Sequence, residues 1–185
     1  MDKKLYVISG SSGVGKGTVL KGFLNQNPHF MLSISCTTRS PRQGEIDGVN
    51  YFFLTKEDFQ KCIDGNKFLE WAEFAGNRYG TKKKYINQCL EEGKNIILEI
   101  DTKGALQVKK QMPSAVLIFI APPSIKALEE RLRGRHTEDE ATIQKRLNEV
   151  KEELKRAESF DYKIINDDLQ NAIKELEKIV EIENA

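Results

Sequence analysis

Histidine and cysteine are scarce in this sequence: two and three in 185 residues. His29 and His136 stand far apart, and Cys36, Cys62 and Cys89 form no Cys-x-x-Cys pair. Such a set builds neither a zinc-type ligand cluster nor a disulfide framework, so free thiols in a reducing compartment are expected. Long hydrophobic runs are missing too. The longest, "AVLIFIA" at 115–121, falls far short of the roughly 20 residues that a membrane-spanning helix needs. The opening "MDKKLYVISG" lacks the apolar centre of a signal peptide, and the expected location is cytoplasmic. An excess of one charge is absent as well. With 29 basic against 28 acidic side chains, the net charge of +1 offers no basic track for nucleic acid and no cationic face for a membrane. There is no internal repeat and no low-complexity tract. What is present, 39% hydrophobic and 31% charged residues, is the composition of a globular chain long enough for one good core with small insertions.

Short apolar runs at 5–9, 30–35, 95–100, 115–121 and 162–166 read as buried parallel strands. Between them lie amphipathic stretches at 16–26, 82–92, 103–111, 124–133, 139–158 and 168–182. Thr81, Thr102, Ser124 and Asp167 are the expected helix caps. This βαβ alternation predicts a doubly wound α/β core. Two segments break the rhythm. Residues 36–81 are rich in aromatics and turn signals and hold the strand-like "YFFL" and "FLEWAEF", which predicts an inserted antiparallel or mixed sheet. Residues 126–150 carry many charges and a breaker at Gly134, which predicts a helical hairpin on the surface.

"GSSGVGKGT" at 10–18 follows a predicted strand and precedes a predicted helix. Glycines at 10, 13 and 15 let backbone N–H groups face a phosphate without a Cβ in the way, and Lys16 supplies a mobile positive charge. A plain Gly/Ser turn is the alternative. Gly17 stands where a magnesium-binding hydroxyl is expected, and Thr18 comes one position late, about 100° further round the helix. In the inserted segment, Arg39 and Arg42 flank Pro41, with Glu45 and Tyr51 downstream. Two planar guanidiniums and a phenol suit a phosphate monoester, although the same residues also describe a solvated loop. Glu70 lies beside Trp71, with Tyr79 and Thr81 after a tight turn. It reads either as a half-buried acceptor for two ligand donors or as a strand glutamate facing water.

Taken together, "GSSGVGKGT", "SCTTRSPRQGE", "FLEWAEFAGNRYGT", "LEIDTKGA", "RLRGRHTE" with Arg146, and "IINDDL" resemble the guanylate kinases in order and spacing. The resemblance implies a P-loop NTPase-type parallel sheet sandwiched by helices (1–34, 82–125 and 151–185). It also implies an inserted GMP-binding domain with a small mixed sheet (35–81) and a helical lid (126–150). The implied activity is transfer of the γ-phosphoryl group of ATP to GMP, and dGMP is not separated from GMP by the sequence. The implied ATP site is Gly10, Ser11, Ser12, Gly13, Val14, Gly15, Lys16, Gly17 and Thr18, with Arg131 and Asn166. Arg39, Arg42, Tyr51 and Tyr79 would hold the GMP phosphate, and Ser35, Glu70, Thr81 and Asp101, with Glu99 beside them, would face guanine. Lys16, Arg42, Arg135 and Arg146 would be catalytic, with Arg131, Arg135 and Arg146 closing over both nucleotides.

The acceptor is a phosphate oxygen that is already anionic, so no general base is needed and none is seen. Magnesium, the expected cofactor, would be held by ATP and waters, with Thr18, Glu99 or Asp101 as candidate outer contacts. Two departures from the family's usual pattern are Cys36 in place of serine and Lys103 in place of glutamine. A binding module of the same fold without catalysis is the alternative from another class. An intact phosphate loop argues against it. The oligomeric state, including a homo-oligomer, is left open.

Overall fold

The computed structural model describes residues 3–11, 13–134 and 139–185, apart from the side chains of Arg131 and Leu132. Its centre is a parallel five-stranded sheet in the order β2 (Phe30–Leu32), β7 (Asn95–Glu99), β1 (Leu5–Gly10), β8 (Val116–Ala121) and β9 (Tyr162–Ile165). All of β1 and β8 is buried. Their unbroken apolar runs follow from being covered on both faces. The period of two along β1 divides the core: Tyr6 and Ile8 pack with α1 (Lys16–Gln26) and α7 (Leu169–Asn184) through Phe23, Ile173 and Leu176. Leu5 and Val7 face the opposite layer, where α3 (Lys83–Glu91) and α4 (Thr102–Gln111) bring Ile86, Cys89, Ala105 and Val108.

The second sheet, in the order β4 (Phe52–Phe53), β3 (Cys36–Thr37), β6 (Asn77–Lys82) and β5 (Phe68–Phe74), is mixed, as expected. It contains one element that the sequence reading passed over, helix α2 (Lys56–Asp64). Thr55 caps it by accepting from Asp58 N, and Phe59 is its buried anchor, stacked 4.5 Å from Phe68. The signal was present as Thr55-x-x-Asp58 with apolar residues at 59, 62 and 63. The strand expected at 30–35 is divided between the sheets: β2 stops at Leu32 and the chain rejoins a sheet at Cys36.

Three expected caps shift by one residue. Asp101, not Thr102, caps α4, and Asp168, not Asp167, caps α7; each carboxylate accepts from the backbone N–H three residues on. Thr81 does not cap α3. It lies in β6, where its hydroxyl is drawn to Glu70, and Lys82 occupies the cap position without a side-chain bond. Ser124 caps α5 (Ile125–Gly134) as expected. Helices α5 and α6 (Glu140–Ala157) pack through Leu128, Ile143, Leu147 and Val150, a hairpin with its own small core.

The small sheet's core depends on Phe59, which is fully buried against Cys36 and Phe68. Phe59→Ala is expected to lower stability in urea unfolding by about 3–5 kcal/mol, the range for an emptied aromatic site. Thr55→Ala should lower it by about 1 kcal/mol.

Candidate active site

The loop between β1 and α1 lies where the strand order reverses, at the carboxyl ends of the strands, the usual crevice of an open α/β sheet. Gly10 is required by close approach: a Cβ there would stand 2.5 Å from the Ile120 carbonyl oxygen. Gly13 and Gly15 adopt positive φ, 79° and 92°, which turns the chain into the helix. Among the described residues no side chain caps α1, and no acid lies in its first turn, so its positive end faces the loop unneutralised. Among the described residues the buried hydroxyls of Ser9 and Ser11 have no hydrogen-bond partner, an unusual condition that an anion in the loop would relieve. Asn166, the residue after β9, supports the loop: its Nδ2 donates to the Val14 carbonyl at 2.7 Å. Gly17 and Thr18 are exposed, and a Cβ on Gly17 would meet nothing.

Lys16 points its ammonium at Glu99, the last residue of β7, with Nζ 3.8 Å from Oε1. That pair joins the phosphate loop to a cavity of about 470 Å³ between the two sheets, lined among others by Ser35, Tyr51, Glu70, Tyr79, Glu99 and Asp101. Six residues expected at one site therefore line one cavity. Thr81 reaches the cavity through Glu70, donating its hydroxyl to Oε1 at 2.7 Å. Glu70 is only 5% exposed. Burial pushes its carboxyl up to about 7, the Thr81 hydrogen bond opposes that rise, and the neighbouring Asp101 charge adds to it. Asp101 Oδ1 accepts from Gly104 N at 2.7 Å. Gly104 leaves room for both carboxylates, since a Cβ there would lie 3.1 Å from Glu70 Oε2 and 3.3 Å from Asp101 Oδ1. Its role was missed in the sequence, where a glycine inside a helix reads only as a weak position.

Beside Tyr51 and Tyr79 of the cavity lining, Arg39 is fixed in place. Its two terminal nitrogens donate to Glu45 at 2.9 and 2.8 Å, and its guanidinium lies 5.4 Å from the centre of the Tyr51 ring. Tyr79 is a further neighbour of that guanidinium. Glu45 is held down at about 2 by the Arg39 bonds and then by the Arg42 backbone N–H. Arg42 itself is exposed; its backbone N–H donates to Glu45, and its charge lowers that carboxyl a little further. Arg146 lies half-buried on α6. Ser12, Arg135 and the Arg131 side chain lie outside the described residues.

Neither departure from the family's pattern touches the cavity wall. Strand alternation turns Cys36 inward against Phe59 and Phe68, where burial raises its thiol to about 11. Lys103 faces a separate groove with Asn148 and Glu152 of α6. Among the described residues no three His, Cys, Asp or Glu side chains gather as a metal cage. The oxygen donors Thr18, Glu99 and Asp101 near the loop suit a hard cation that keeps most of its waters. No helix among the described residues is long and apolar enough to cross a membrane.

A sequence model of the Guanylate kinase family matches residues 2–183. Guanylate kinase from Synechocystis sp. is 52% identical over 177 residues, 96% of this chain and 93% of that protein. Guanylate kinase from Carboxydothermus hydrogenoformans is 50% identical over 179 residues, 97% of this chain and 88% of that one. A crystal structure of guanylate kinase from Anaplasma phagocytophilum superimposes with a TM-score of 0.74 at 30% identity, covering 98% of this chain and 86% of that one. Sequence likeness over nearly the whole length and the shared fold lead to one conclusion: this chain belongs to the guanylate kinase family.

Proposed function

We propose that this chain transfers the γ-phosphoryl group of ATP to GMP, with the glycine loop at 10–18 as donor site and the cavity as acceptor site. The observation that carries the reading is Glu70, a buried carboxylate held by Thr81 in the cavity whose far wall is Glu99 beside Lys16. Guanine presents two adjacent donors, N1–H and the 2-amino group, to an acceptor-only carboxylate, whereas adenine presents an acceptor at N1. A site built this way rejects the wrong base by roughly 10⁴-fold, because the buried group would go unpaired. Ser35 and Asp101 complete the base end of the pocket. Arg39, Tyr51 and Tyr79 form the phosphate end, which Arg42 joins from solvent when a phosphate arrives.

The reaction then depends on position and charge. The GMP phosphate oxygen attacks in line, and no side chain has to take a proton from it. Lys16 exchanges its contact with Glu99 for the phosphates of ATP and stabilises charge on the transferred group. Arg131, Arg135 and Arg146 belong to the lid in this reading, and its closure excludes water as a competing acceptor. Magnesium on the ATP phosphates would draw negative charge off the transferred group, and Thr18, Glu99 and Asp101 are the residues that would hold its waters. Nucleotides are the partners in this reading, ATP and GMP, with cytoplasmic work to match.

Two expected outcomes test it. Glu70 must be ionised to accept both guanine donors, so as pH falls through about 7 a growing fraction is protonated and KM for GMP rises. The GMP phosphate also titrates, near 6, and the comparison with Glu70→Gln separates the two. The variant should have a KM raised about 100-fold and should lose the inflection near 7, as initial rates against pH will reveal. The metal reading concerns Gly17 and Asp101. Gly17→Ser fits open space and should leave kcat within about two-fold. Asp101→Asn keeps the helix cap but removes the charge and should lower kcat by about 10²-fold. The opposite ranking in steady-state assays would misplace the metal.

A further inference from the structure

Strand β5 is the outer edge of the small sheet, so one side of its backbone has no strand to bond to. It also carries a bulge. Phe68 pairs with Lys82 and Glu70 with Thr81, which leaves Leu69 as the extra residue, turned into the main core against α3 and α4. The carbonyls at such a bulge and the open edge after it need partners.

Two glutamines of α4 supply them. Gln111 Nε2 donates to the carbonyls of Phe68 and Leu69 at 3.2 and 2.9 Å. The Gln107 amide takes the Trp71 peptide at both ends, accepting from its N–H at 3.2 Å and donating to its carbonyl at 3.3 Å. Glu70 is thus held by its backbone neighbours on both sides while its own carboxylate rests over Gly104. Gly104, Gln107 and Gln111 follow one another along one face of the helix, at i, i+3 and i+7. The turn between the glutamines advances about 6 Å, close to the rise of two strand residues, so helix and strand stay in step.

We propose that Gln107 and Gln111 are positioning residues for the guanine acceptor: by occupying the open edge of β5 on either side of Glu70, they fix where its carboxylate stands relative to Asp101. Loosening them lets the bulged edge shift, so the carboxylate no longer meets both donors of guanine together. The effect falls on base recognition and leaves the phosphate loop untouched. This inference rests on the proposed GMP site.

The test is initial-rate kinetics with GMP and with IMP, which lacks the 2-amino group, at saturating ATP, on the wild type and Gln107→Leu, Gln111→Met and Gln111→Lys. The first two variants should each raise KM for GMP about ten-fold, with kcat and KM for ATP within about two-fold. Their preference for GMP over IMP should shrink by a similar factor. Gln111→Lys retains donors for both carbonyls and should behave nearly as wild type. If Gln111→Met fails to fold, Gln107→Leu decides by its shrunken GMP-to-IMP preference, with Gln111→Lys as the variant that keeps it. An unchanged GMP-to-IMP ratio in folded Gln107→Leu and Gln111→Met overturns the inference, as does a KM for ATP that moves in step with KM for GMP. A wild type inactive on GMP overturns the reading beneath it instead.

Discussion

A carboxyl group taken out of water must either be given hydrogen-bond donors or keep its proton, and Glu70 stands between those two conditions. In the free protein it has the Thr81 hydroxyl, a buried site and a like charge at Asp101, which together hold its carboxyl near neutrality. Much of the structure around it serves that position. Strand β6 brings Thr81 opposite, a glycine in α4 makes space, and the bulge in β5 sends Leu69 into the core while Glu70 faces the cavity. The fold gives up stability for this arrangement. Because the folded value lies above the ordinary 4.5, the folded state holds a proton that the unfolded chain releases, and stability falls as pH rises from there to about 7. A ligand that brings two donors removes the conflict.

In the proposed reading the phosphate side is built on the opposite principle, fixed positive potential with little burial of charge. Loop glycines, the uncapped end of α1 and Lys16 form one cup, and Arg39 with its tyrosines forms the other. The Lys16 contact with Glu99 shows that the phosphate loop borders the cavity. Glu45 has a quieter part. It fixes Arg39 by two bonds, so the guanidinium is already oriented when a phosphate approaches.

How far this could be read from the sequence depended on the type of signal. The strands of the main sheet were legible because burial on both faces leaves uninterrupted apolar runs, and the phosphate loop because its glycines are dictated by backbone geometry. Helix α2 was hidden by neighbouring aromatics that suggested strands, although its cap and apolar spacing were present. Thr81 was mistaken for a cap because a threonine before a helix offers its hydroxyl to either role, and only a distant partner, Glu70, decides. The same holds for Gly104, Gln107 and Gln111: nothing in a helical glutamine announces that it faces the open edge of a strand far away in the chain. Arg42 is a different case. The motif drew it beside Arg39, while in the free protein its side chain remains in solvent.

The most direct test is a carbon-13 NMR titration of the Glu70 carboxyl in the free protein and with GMP bound. The account requires a midpoint of about 7 in the free protein that drops into the ordinary carboxylate range when GMP is added. A free-protein midpoint near 4.5, or one that GMP leaves unmoved, would contradict it.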